Sequence, residues 1–108
     1  MLDVNPLLLA VDRFADRLRA APESRLRRGA AAEGLALARE LALRAQRVED
    51  PEREPLLMPD AGMFCVADQV MVAGRDLAQA LYTAKAPPGG EPEEALELVE
   101  AAGVRAFG

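Results

Sequence analysis

The chain has 108 residues, of which 51% are apolar, but 22 of these are alanine, so only 33 larger apolar or sulfur-bearing side chains remain to build a core. That suffices for one small domain, residues 1–108, and not for two. Thirteen basic against eighteen acidic residues give a formal charge of −5, which disfavours indiscriminate attraction to nucleic acid or anionic membrane, and the absence of histidine removes histidine bases, histidine metal ligands and His-dependent triads.

A first helix is expected to open at Asn5 as N-cap, with Pro6 at the first helical position, where a missing N–H costs nothing, and to stop before Pro22. Its core stripe is Leu7, Val11, Phe14 and Leu18, spaced four, three and four residues apart so that all four share one face. A second helix is expected from Ser24, its N-cap, to about Val48, ended by Glu49, Asp50 and Pro51. Leu26, Ala30, Gly34, Leu37, Leu41, Ala45 and Val48 form its apolar stripe, while Leu43 falls on the charged side beside an i,i+4 pair of Glu40 and Arg44.

Residues 49–59 carry three prolines and four acids and read as an extended connection, with Leu56, Leu57 and Met58 placed to cover one end of a core. A third helix is expected after Asp60 and up to about Ala84. There Met63, Ala67, Val70, Gly74, Leu77 and Leu81 alternate in steps of four and three, a heptad seam. Phe64, Met71 and Ala78 widen it on one side and Val66, Ala73 and Ala80 on the other, giving a face too broad for one partner helix. Pro87, Pro88, Gly89 and Gly90 make a Pro/Gly linker at 86–91, and a last, short helix opens at Glu91 and Pro92 and ends at Gly103. No segment alternates with period two, so the expected fold is all-α: a bundle of about four helices, two long and two short.

The broad face of the third helix has two readings. It is an ordinary monomeric core, or it also forms a homodimer through Ala67, Val70, Ala73, Gly74, Leu77 and Ala78. Ala67, Gly74 and Ala78 are expected to face Ala30, Gly34 and Ala38 of the second helix and to let the two backbones approach. Asp68, Gln69, Arg75 and Asp76 fall on the outer side of that helix as a solvated stripe. The lone Cys65 can form no internal disulfide and has no histidine to activate it, and it fits a reducing cytoplasm. No secretory signal is expected, since Asp3 sits where positive charge belongs and the apolar run at 7–11 is short. Neither phosphate-loop nor dinucleotide fingerprints occur, and no catalytic, cofactor or metal site is expected.

Charge is uneven along the chain: residues 1–48 carry nine Arg against six acids, and residues 49–108 four basic residues against twelve acids. Arg13, Arg17, Arg19, Arg25, Arg27 and Arg28 crowd around Pro22. Arg19, Ser24, Arg25, Arg27 and Arg28 therefore form a candidate anion-binding corner of helix-turn-helix type, with pairing to the acidic half or to water as the plainer alternative. Twelve Arg against one Lys reads as GC-rich coding and not, by itself, as a binding signature. The function expected from the sequence is non-catalytic protein–protein contact, as a homodimeric regulator, adaptor or assembly subunit. The alternative is a nucleic-acid-binding regulator, and a third class is a cofactor-independent enzyme using Arg and carboxylates in a helical cleft.

Overall fold

The computed structural model describes residues 3–84 and 90–108, so most of the linker expected at 86–91 lies outside the described residues. Four helices of similar length carry the fold: α1 (Asn5–Ala20), α2 (Ala31–Glu49), α3 (Val66–Thr83) and α4 (Glu91–Phe107). There is no strand among the described residues, as the absence of period-two alternation requires. The division into two long and two short helices does not hold. α4 runs through Gly103 for a further turn because Ala106 and Phe107 have neighbours to bury against, and that tertiary contact outweighs glycine's weak helix propensity.

Helix starts are displaced from their expected caps. Asn5 is already helical, and its N–H donates to Asp3 Oδ1 at 3.0 Å, so the aspartate two residues earlier takes the capping role. Ser24 caps nothing. It lies inside a single turn, Glu23–Arg25, which runs into a kinked segment, Leu26–Ala30. The cause is Gly29, whose φ of 142° breaks the helix expected from Ser24 onward. Asp60 likewise accepts from the Gly62 N–H at 2.9 Å, and α3 starts only at Val66. Because φ near 142° is open essentially only to glycine, Gly29→Ala is expected to lower stability by more than ~1 kcal/mol in a denaturation curve, although nothing crowds the added methyl. An unchanged midpoint would argue against the kink.

Ion pairs show how the helices run. Arg19 reaches Asp68 at 2.8 Å and Arg75 reaches Asp12 at 3.8 Å, so α1 and α3 are antiparallel. Arg44 reaches Glu91 and Glu94 at 3.1 Å while Arg105 reaches Glu33 at 2.7 Å, so α2 and α4 are antiparallel too. The starts of α2 and α3 lie side by side, Gly34 against Val66, which makes these two parallel. A parallel pair needs a return crossing. The 49–59 connection supplies it, coming back along α2 from Gln46, which holds Leu56, to Arg39, whose Nε donates to the Met58 carbonyl at 2.9 Å. An extended chain covers the ~28 Å of α2 in about nine residues, and prolines favour that extension. Around the bundle the order is α1, α3, α2, α4, closing on α1.

One core draws on all four helices: Leu7, Val11, Phe14 and Leu18 of α1, Leu37 and Leu41 of α2, Val70, Leu77 and Leu81 of α3, and Ala95, Val99 and Ala102 of α4. No charged or polar residue is buried among the described residues. Gly34 and Gly74 do not pair small against small as the spacing suggested. Each receives a valine instead: Val66 fills the space above Gly34, and Val11 the space above Gly74. Four side chains depart from expectation. Leu43 is half-buried, Phe64 is exposed beside the start of α3, and of Leu56, Leu57 and Met58 only Met58 packs on the core.

Candidate functional site

The six residues expected to form a dimer face, Ala67, Val70, Ala73, Gly74, Leu77 and Ala78, are all buried within the single chain. α1 and α2 pack against α3, and the breadth of the apolar face is used up by two neighbours of the same molecule. These residues therefore offer no surface to a second copy of the folded chain. The expected width was real. What the wheel could not show was that α1 takes one side of it.

The arginine corner also fails to assemble. Arg19 is held by Asp68 at 2.8 Å and Asp16 at 3.4 Å, and the hydrogen bond to Asp68 raises its pKa above the ordinary arginine value. Arg27 pairs with Glu23 at 3.1 Å, and Arg28 Nε donates to the Ser24 carbonyl at 3.3 Å. Ser24 has no free helix start to share with a phosphate, and the turn it sits in begins with an acid. Of the four arginines singled out, Arg25 alone makes no side-chain bond among the described residues, and the Ser24 hydroxyl makes none either. The plainer alternative, pairing with the acidic half, applies to Arg19 and to Arg44. Burial by itself lowers the Arg44 pKa, but hydrogen bonds to Glu94 and Glu40 and the charge of Glu91 outweigh it and raise the value.

A concave surface lies elsewhere, along the seam between α1 and α4. α4 turns Ala95, Val99, Ala102 and Ala106 to the core, and such small side chains let it settle close to the bundle. Its bulkier residues are left to flank that face. The result is an open groove of about 620 Å³ lined by Leu9, Ala10 and Phe14 of α1 and by Leu96, Val99 and Val104 of α4, with Arg13, Arg17 and Glu100 at its edges. Phe14 and Phe107 meet edge to face with centroids 6.0 Å apart, and the Arg17 guanidinium lies 4.3 Å above the Phe107 ring. This stack orients Arg17 along the groove. Past Phe107 a second depression, about 300 Å³, continues between Arg17, Pro22 and Arg25.

Two properties set the groove apart. Leu9 and Val104 are 56% and 68% exposed, so apolar surface stands open to water there. Arg13, Arg17 and Arg25 follow one another along the α1 side, and none has a carboxylate within ion-pair distance among the described residues. Apolar floor and unpaired cations together suit an anionic ligand with bulky apolar groups. Sequence inspection missed this site because Leu9 lies off the main α1 stripe and because ending α4 at Gly103 discarded Val104 and Phe107. The usable signal was the spacing of Leu9, Arg13 and Arg17 at i, i+4 and i+8, a second stripe on one helix.

Among the described residues, no group of three or more Cys, Asp and Glu is placed to hold a metal ion, and Cys65 is exposed and does not line the groove. No helix of the described residues is long and apolar enough to cross a membrane. Comparison of the chain with protein-family models, with curated proteins and with solved structures returns no match.

Proposed function

We propose that the protein is a non-catalytic protein–protein interaction module that acts in the reducing cytoplasm as a regulator, adaptor or assembly subunit. Its docking surface is the α1–α4 groove, and its ligand is a segment of polypeptide carrying several carboxylates and two or three bulky apolar side chains. The observation that carries this reading is the run of three arginines without carboxylate partners beside exposed Leu9 and Val104. In a protein with eighteen acidic residues, unpaired cations beside open apolar surface favour an incoming anion. The groove lining offers no nucleophile and no convergent acid–base pair, only Glu100 opposite the arginines.

The test is fluorescence anisotropy with labelled peptides of equal apolar content, one set acidic and one basic. Acidic peptides are expected to bind, to weaken as salt rises, and to lose about tenfold in affinity against the Arg13→Glu, Arg25→Glu double variant. Both side chains are exposed and make no hydrogen bond or ion pair among the described residues, so the fold should tolerate the change. Equal binding of both sets, or of neither, would remove the reading. Preferential binding of duplex DNA that the same variant abolishes would favour a nucleic-acid regulator instead.

A further inference from the structure

The 49–58 connection has the complementary chemistry. Glu49, Asp50, Glu52 and Glu54 are all exposed with only Arg53 to offset them, and Leu56 and Leu57 follow at 70% and 74% exposure. These leucines are presented, not merely loose. The Leu56 N–H donates to Gln46 Oε1 at 2.8 Å, Gln46 Nε2 donates back to the Leu56 carbonyl at 3.0 Å, and Arg39 fixes the Met58 carbonyl. The backbone is thus held against α2 while its large side chains face water, an arrangement that lowers the ordering cost of docking.

We infer that the occupant of the α1–α4 groove is this acidic, leucine-bearing connection of a second copy of the chain, the carboxylates lying toward Arg13, Arg17 and Arg25 and the leucines on the floor around Leu9 and Val104. This rests on the groove reading proposed above. The two surfaces account for each other: one carries exposed apolar side chains and surplus negative charge, the other exposed apolar side chains and unpaired positive charge. A chain cannot satisfy itself. The connection lies over the α2–α3 seam, and in the order α1, α3, α2, α4 that seam is opposite the α4–α1 seam. Opposed donor and acceptor surfaces give a heterologous contact, so assembly proceeds head to tail into a chain or ring and does not stop at a reciprocal dimer.

Sedimentation equilibrium of the full chain over rising concentration is the test, with two variants. Arg13→Glu with Arg25→Glu disables the groove and leaves the connection intact. Leu56→Ser with Leu57→Ser disables the connection, and since both side chains are largely exposed the core is untouched. The unmodified chain is expected to pass beyond dimer mass as concentration rises and to retreat toward monomer in high salt. Each variant alone should associate about tenfold more weakly or worse. An equimolar mixture of the two should form a one-to-one complex and stop there, because only one functional surface remains on each. A mixture that stays monomeric, or an unmodified chain that halts at a dimer, would overturn the head-to-tail contact. Were the unmodified chain monomeric at high concentration while acidic peptides still bound the groove, the second copy would be rejected and the groove reading retained. Failure of those peptides as well would reject both.

Discussion

Gly74→Leu is expected to abolish the cooperative fold, or to leave it several kcal/mol weaker in chemical denaturation followed by far-ultraviolet circular dichroism. A Cβ at residue 74 would lie 2.6 and 2.7 Å from the two methyl carbons of Val11 and 3.1 Å from its Cβ. Val11 is fully buried and branched, so it has no free space into which to turn. Leucine adds three carbons beyond that point, and only separation of α1 from α3 can house them. Overpacking by far less costs ~1 to 3 kcal/mol, against a total stability of about 5 to 15 kcal/mol for a domain of this kind. Gly74→Ala should be milder, since the clash is offset by about 1 kcal/mol of helix propensity. Combining it with Val11→Ala should destabilise less than the two single changes added together, because the second removes the atoms that collide with the first. Stability unchanged in Gly74→Leu would contradict the α1–α3 packing described here.

Phe14→Ala should cost about 3 to 5 kcal/mol and should also disturb the groove. The ring is 3% exposed and is shared between two tasks: it joins the core beside Val11 and Leu18, and it supports Phe107 by an edge-to-face contact. Loss of that support releases the last turn of α4 and, with it, the surface on which Arg17 rests. Amide hydrogen exchange should therefore accelerate at residues 103–107 more than at the start of α4, and peptide affinity should fall along with the melting temperature. Phe14→Leu, which keeps apolar volume but not the aromatic pair, separates the two effects. It should retain most of the stability. If exchange at 103–107 is unaffected in both variants, the Phe14–Phe107 contact is not what holds the end of α4.

Periodicity alone was sufficient for the helices. Leu7, Val11, Phe14 and Leu18 recur at helical spacing and are buried, and so are Leu26, Ala30, Gly34, Leu37, Leu41 and Ala45 and nearly all of the α3 seam. The spacing of apolar residues reports the face a helix will bury because burial is the dominant reward, whatever the neighbour turns out to be. Prolines and acids at 49–59 likewise marked a connection that breaks the helices. Helix ends were less legible, since Asn5, Ser24, Asp60 and Gly103 are each plausible terminators by residue type and each was overridden by its surroundings.

Which helix meets which was decided only in three dimensions. A wheel shows that α3 has a wide apolar face but not that α1 and α2 of the same chain divide it, and so Ala67, Val70 and Gly74 pass from expected interface to core. The arginines around Pro22 look alike in sequence. In the folded chain Arg19 and Arg27 are neutralised by Asp68, Asp16 and Glu23, whereas Arg13, Arg17 and Arg25 are left unpaired beside open apolar surface. Local composition determines that a residue is apolar or charged and which side of its helix it occupies. Whether its neighbours satisfy it depends on partners dozens of residues away, Asp68 for Arg19 and Phe107 for Phe14, and only the closing of the bundle brings them within reach.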